Sequence, residues 1–308
     1  MQQQAARLTP KHKRKKSPAE LIKPYLFLVP IFALMITFKY IPFFTAIFES
    51  FFKWNGSNVN EFIGLQNYID LFKSNQFWIS LWNCAKYCIA HIIIAVTMPL
   101  LAAELLYAVK SKRVQYVLRT VLTFPMVVPG VVVILLWQWI LSGDNGVLNS
   151  VLTNIGLGSL TRPWLGDGST ALFAIILVGF PWVSGLQFLL YYGALQAVPR
   201  ELFEAATIDG SNVIQRFFRI DLPMLASQFK LIITLAIING VQVFESIYIL
   251  TRGGPGTATL VPSVLLYDNA FSFKKYGYAS AIGVVMFAII MLVSFINQKF
   301  LKNTETVD

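Results

Sequence analysis

The chain has 308 residues, of which 56% are hydrophobic and only 13% charged, and its formal net charge is +10. That balance excludes an ordinary soluble domain and points to a membrane protein. Two cysteines and two histidines leave no disulfide framework, and the excess of Lys and Arg comes with no aromatic or groove-reading motif that would suit nucleic acid.

Crossing a bilayer takes about 20 mostly apolar residues per helix. Six stretches meet that length: Leu26 to Phe48, Ile79 to Val109, Thr120 to Leu141, Ala171 to Tyr192, Phe229 to Leu250 and Tyr278 to Ile296. Apolar and polar residues do not alternate strictly, so a barrel is not expected. With the amino terminus cytoplasmic, six spans place both termini inside, and the inside segments then hold 16 of the 25 Lys and Arg against 6 outside. The basic run Lys11, Lys13, Arg14, Lys15, Lys16 becomes a topology anchor beside anionic headgroups. The apolar segment behind it is too long for a signal peptide and has no A-x-A-like site, which makes it an uncleaved first span. The expected organisation is a basic cytoplasmic segment over 1–24, one membrane domain over 25–300 and a cytoplasmic tail over 301–308.

Span one carries Pro30, Lys39 and Pro42, with Lys39 expected to snorkel. Residues 49–78 read as an external loop with short amphipathic turns. Cys84, Cys88 and His91 share an i, i+4, i+7 face on span two, a spacing open to three metal ligands but expected to be packing residues. No metal site is expected. Span three, with Pro125, Pro129 and Gly130, is expected to be kinked or broken, and residues 142–170 form a turn-rich outer loop.

Span four has Gly179, Pro181 and Gly185 near its middle, with Ser184, Gln187 and Tyr191 on one helical side. In span five, Asn239, Gln242, Glu245 and Ser246 fall within about a 120° arc at 100° per residue. A carboxylate inside a span is costly unless it meets water or a partner. Span five is therefore expected to face a hydrated cavity, and Trp182, Gln187, Tyr191, Asn239, Gln242, Glu245 and Ser246 are the candidates for a substrate path.

Residues 199–223 interrupt this apolar pattern. Pro199 suits the first position of a helix with Glu201 and Glu204 at its positive end, Gly210 suits the left-handed turn that ends it, and Ser211 suits the cap of a second helix that Pro223 closes. Both helices are too short and too charged to span, and both carry apolar surface. Topology puts the pair on the cytoplasmic side, where it can dock a soluble protein.

The spacing Glu204-Ala205-Ala206, three residues, Gly210, nine residues, Ile220-x-Leu222-Pro223 resembles the cytoplasmic EAA loop of bacterial ATP-binding-cassette importer permeases. The flanks "YYGALQAVPRELFEAATIDGS", "ILTRGGPGTAT" and "YGYASAIG" are similar to the sugar-uptake branch of that family, and the resemblance covers nearly the whole chain. It implies the all-α, six-span type I importer permease fold with a coupling-helix hairpin in a bacterial plasma membrane. It also implies that the loop, through Glu204, Ala205, Ala206, Asp209, Gly210, Ile220, Leu222 and Pro223, seats on a separate ATPase, and that Gly253, Gly254 and Pro255 form an external loop typical of the branch. The partners implied are a second permease, a distinct chain in this family, two ATPase subunits and an extracytoplasmic solute-binding protein. No cofactor is expected in this chain. Its sequence carries no G-x-x-x-x-G-K-[ST] cradle, so ATP and Mg belong to the partner ATPase.

The function expected is that of a non-catalytic permease for a sugar, oligosaccharide or polyol. The competing reading is a self-contained secondary transporter or channel, for which Lys39, Lys86, His91, Glu104 and Glu245 would have to supply a charge relay. They form no evident relay, and the hairpin would be left without a use.

Overall fold

The computed structural model describes residues 18–300. The basic run before the first span and the expected tail over 301–308 lie outside the described residues. By their internal contacts the residues form two units that divide between Phe48 and Glu49.

The first unit is built by α1 (Pro18–Met35), a π turn over Ile36–Tyr40, and α2 (Ile41–Glu49) as far as Phe48. The wide turn has a local cause. Pro42 has no N–H and its ring presses on the carbonyl four residues back, and in the widened turn Ile41 donates to the carbonyl of Ile36. Lys39 sits in this turn and is exposed. From Tyr25 to Ile41 the apolar side chains are exposed as well, as suits a surface facing lipid or another subunit.

The second unit opens with a feature the sequence reading lacked. Strands β1 (Phe52–Trp54) and β2 (Asn60–Phe62) pair antiparallel with Phe52 opposite Phe62, within the stretch expected to hold only loop and amphipathic turns. The fold is therefore mostly rather than purely helical. Helix α3 (Gln66–Lys73) follows, then α4 (Asn75–Ala108), whose 34 residues make it about 50 Å long at 1.5 Å per residue. That exceeds the roughly 30 Å hydrocarbon layer, so α4 projects beyond it.

Helix α5 (Lys112–Thr123) leads through a short 3-10 turn to α6 (Gly130–Ile140), and the two segments meet at 91°. Pro125 lies in that turn and Pro129 directly precedes α6, so the expected kink in span three is a right-angled break. Helix α7 (Val147–Asn154) lies in the turn-rich loop. The expected fourth span is two helices, α8 (Ala171–Leu177) and α9 (Gly185–Ala197), separated by 178–184, where Gly179 has φ 86° and Pro181 follows.

Helices α10 (Arg200–Ile208), α11 (Val213–Arg216) and α12 (Leu222–Met224) make the interrupting hairpin. A π turn over Phe217–Asp221 joins the last two. Helix α13 (Ala226–Val241) and α14 (Glu245–Leu250) make a span broken at 242–244, α15 (Pro262–Tyr267) follows, and α16 (Tyr276–Phe300) closes the described chain. Among the described residues four helical segments are long and apolar enough to cross a membrane, or five if the right-angled pair counts as one. Six were expected. The fourth falls short because its two helices have only 7 and 13 residues.

Helix α4 is the axis of this unit, packing along both α9 and α13. Small residues allow the approach: Ala95, Ala103 and Ala236 are buried, and a Cβ on Gly240 would stand 2.8 Å from the Cys88 sulfur and 3.1 Å from its Cα. One apolar cluster joins Cys84 and Cys88 to Ile237, Ile247 and Ile282, and a second joins Ala103 and Leu106 to Phe188, Tyr191, Leu195 and Ile232.

Candidate functional site

Three features gather the polar residues of the second unit. A cavity of about 380 Å³ lies where α4, the break between α8 and α9, and α13 converge. Its polar lining is Tyr87, His91, Trp182, Ser184, Gln187 and Asn239, and the lining contains no Asp, Glu, Lys or Arg. The break makes this site possible. Freed of helical periodicity, residues 179–184 bring Trp182 and Ser184 to the cavity, with Trp182 itself at φ 57° and its indole N–H donating to the Ile176 carbonyl at 3.0 Å. A bulky side chain at positive φ is uncommon and marks a backbone held by its surroundings. His91 stacks on Tyr87 with ring centroids 5.9 Å apart. His91 Nε2 and Gln187 Oε1 are buried and have no hydrogen-bond partner among the described residues. A buried polar atom without a partner is costly, so the cavity is chemically suited to a solute that brings hydroxyl groups.

Of the expected substrate-path residues, Trp182, Gln187 and Asn239 line this cavity. The others do not. Tyr191, one turn past Gln187 on α9, is fully buried in the second apolar cluster against Phe229 of α13. Gln242 and Glu245 are exposed, since the break at 242–244 ends the helical phase that set all four residues on one arc. Ser246 is half-buried and does not line it. Tyr87 and His91 were not among the expected path residues. Their signal was a histidine in an apolar span, read with Cys84 and Cys88 as one packing face. In fact Cys84 and Cys88 are buried, with Cys84 directed at the Gly240 and Val241 carbonyls, while His91 reaches the cavity.

The second feature is the hairpin. Helix α10 ends in a doubly bonded left-handed turn: Ser211 N–H donates to the Ala206 carbonyl at 2.9 Å and Gly210 N–H to Thr207 at 3.1 Å, with Gly210 at φ 73°. The next helix is capped by Asn212 rather than by Ser211. Asn212 accepts from the Gln215 N–H at 2.8 Å while Gln215 returns a bond to the Asn212 N–H at 3.0 Å, a reciprocal arrangement that Ser211 lies one residue too early to make. Pro223 does not close this helix. It lies directly after the π turn over Phe217–Asp221, whose widening accommodates its ring and missing N–H, and the helical path runs on to Met224.

The hairpin has two faces. Glu204, Ala205, Asp209 and Gly210 are exposed, as are Ile208, Val213, Ile214 and Phe218, and a shallow recess is formed by Phe203, Glu204, Thr207 and Ile208. Turned inward are Ala206 and Asp221, with Ile220 and Leu222 half-buried and Pro223 exposed. Arg216 bonds Asp221 at 3.1 Å and reaches Glu104 of α4 at 3.8 Å. Burial holds the Asp221 carboxyl above the ordinary aspartate range, and the Arg216 guanidinium opposes that rise.

The third feature is the loop after α14. Gly253, at φ 87°, Gly254 and Pro255 sit in a tight turn closed by Thr259, whose hydroxyl donates to the Gly254 carbonyl at 2.8 Å. Asn83 of α4 holds the far side, donating to the Thr257 and Leu260 carbonyls at 2.9 and 3.1 Å.

Comparison with known proteins gives this arrangement a context. Residues 95–304 match the family described as "Binding-protein-dependent transport system inner membrane component". The chain is 40% identical to the "Probable ABC transporter permease protein YurN" of Bacillus subtilis, across 91% of this chain and 96% of that one. It is 31% identical to the "Multiple sugar-binding transport system permease protein MsmF" of Streptococcus mutans, with 91% and 96% covered. It is also 31% identical to the "Arabinooligosaccharides transport system permease protein AraP" of Bacillus subtilis, with 90% and 87% covered. The fold resembles a chain of the solved bacterial alginate ABC transporter in complex with its alginate pentasaccharide-bound periplasmic protein, with TM-score 0.80 at 23% identity over 92% of this chain and 96% of that one.

Proposed function

Because the chain belongs to the binding-protein-dependent transport system inner membrane component family, and is thus a non-catalytic, multi-pass permease subunit, we propose that its cargo is a neutral carbohydrate and its motor a separate ATPase docked on the 200–224 hairpin. The hairpin carries the motor half of this reading. A rigid glycine turn and a capping box fix two short helices whose outer face shows Glu204 and unpaired apolar side chains while the inner face is anchored. Such a surface suits a groove in a soluble partner better than it suits water. ATP and Mg then act on the ATPase, and this chain converts the ATPase movement into alternating exposure of its cavity.

The cavity supports the cargo half. Its amides, hydroxyls and indole, with no charged group, match a hydroxyl-rich neutral ring. Relatives whose names refer to multiple sugars and arabinooligosaccharides point the same way. In the assembly proposed, a second permease completes the path and an extracytoplasmic binding protein delivers the solute. Both termini and the hairpin lie on the cytoplasmic side, and the Gly253–Pro255 loop lies outside.

The test is uptake into proteoliposomes holding this chain, its second permease, the ATPase and the binding protein. Uptake of a neutral sugar that requires internal ATP supports the reading. Uptake by this chain alone under a proton or sodium gradient sinks it.

A further inference from the structure

The hairpin can move the cavity only if something rigid joins them, and the side chains at its base identify the joint. Asp221 is fully buried, Glu104 is 14% exposed at its side chain, and Arg216 stands between them. Its guanidinium takes Asp221 Oδ2 with Nε at 3.1 Å and approaches Glu104 Oε2 with Nη2 at 3.8 Å. The same group lies 5.3 Å from the centre of the Phe203 ring, and Phe203 packs on Tyr107 of α4 at 5.9 Å. One planar cation thus contacts α10, the π turn and α4 at once.

Glu104 Oε1 and Asp221 Oδ1 are buried with no hydrogen-bond partner among the described residues. The fully buried Asp221, bonded to the guanidinium, and Glu104, 3.8 Å from it, hold Arg216 in place, because removing the cation would leave the buried Asp221 carboxylate uncompensated. We propose that Arg216 is the positioning residue through which movement of the hairpin is passed to α4. This inference rests on the reading of the hairpin as the ATPase-docking element.

The consequence follows from α4 itself. Glu104 lies near its cytoplasmic end, and His91 and Tyr87 lie on the same continuous helix at the cavity. The separation of Glu104 from His91 is about 20 Å at 1.5 Å per residue. A displacement applied at Glu104 therefore reaches two residues of the cavity wall without crossing a loop. Pro99 lies between them and removes one backbone hydrogen bond, yet the helix runs through it unbroken. Arg216 does not touch cargo. It sets whether ATPase movement arrives.

The experiment uses the complete complex in proteoliposomes and reads solute imported per ATP hydrolysed, with Arg216→Met, Arg216→Lys and Glu104→Gln. ATPase co-purification with each variant is measured beside it. For Arg216→Met the expected result is normal ATPase attachment with solute per ATP reduced at least tenfold. Glu104→Gln should reduce the ratio by about threefold, and Arg216→Lys should recover part of it, since an ammonium meets one carboxylate well but not both. Should Arg216→Met not assemble, the two volume-conserving variants read the same ratio. An unchanged ratio in the variants that assemble overturns the proposal, as does a parallel fall of uptake and hydrolysis. Absence of any ATPase on the wild-type chain would instead overturn the docking reading beneath it.

Discussion

The hairpin and the cavity are made in opposite ways. The hairpin is contiguous: Glu204, Gly210, Asn212, Arg216 and Asp221 lie within one short stretch, and its two turns are set by bonds between near neighbours. The cavity is assembled from α4, the α8–α9 break and α13, and no two of those segments are adjacent in sequence. A contiguous device is damaged mainly from within or at its anchor on α4. An assembled one can be damaged by a change that never touches its lining, and each kind of damage has its own signature.

The largest effect is expected at Glu204. It is exposed, so Glu204→Ala should leave thermal unfolding within about 0.5 kcal/mol, while loss of a charged docking contact worth about 2 to 5 kcal/mol lowers ATP-driven uptake and ATPase co-purification by at least about tenfold. Equal losses of stability and uptake would place Glu204 in the fold instead.

Gly240→Ala should show the opposite pattern. The new Cβ would meet Cys88 Sγ at 2.8 Å and Cα at 3.1 Å, forcing α13 from α4. Overpacking of this kind costs about 1 to 3 kcal/mol, so the melting temperature should fall and the apparent KM for cargo rise, with ATPase attachment intact. Because the sulfur is the nearer atom, Cys88→Ala in the same chain should recover part of the loss.

Gln187→Leu tests the lining alone. Its Oε1 has no partner within the described residues, so the fold loses little, whereas a cargo hydroxyl loses a hydrogen bond of about 1 kcal/mol. The apparent KM should rise about fivefold with hydrolysis per transported solute unchanged.

The smallest effect is a control outside both regions. Asp167 accepts from the backbone and side chain of Ser169, each at 2.8 Å, and those bonds hold its carboxyl below the ordinary aspartate value. A lowered value in the folded state means the turn is supported above about pH 4 and loses that support as pH falls through the lowered value. Protease nicking of the 158–170 loop should therefore rise only in acid, and Asp167→Asn should remove that pH dependence without altering uptake.

The same contrast governs what the sequence made legible. Gly210 was readable because a helix end needs its left-handed turn, and the hairpin's exposed mixed face was readable from charge and apolar residues packed into one short stretch. The Asn212 cap was misplaced by one residue, although Gln215 three positions on is the mark of a capping box. In the cavity, Trp182, Gln187 and Asn239 were visible as polar or aromatic residues inside apolar spans. Glu245 and Gln242 misled because a 100° repeat assumes an unbroken helix, and Val241 to Glu245 is where this one stops. The β1–β2 pairing was hidden for another reason: three-residue strands are too short to establish an alternating pattern. The tie from Arg216 to Glu104 was hidden too, since nothing local announces that a carboxylate waits on α4.

The most direct test of a hairpin that drives a distant cavity is accessibility. A complex carrying Gln187→Cys, with Cys84→Ala and Cys88→Ala to remove the native thiols, would be treated from the outside with a membrane-impermeant thiol reagent in nucleotide-free and ATP-trapped states. The account predicts labelling that rises on ATP trapping and stays at the nucleotide-free level when Glu204→Ala is added. Equal labelling in both states of a complex that still transports would contradict it.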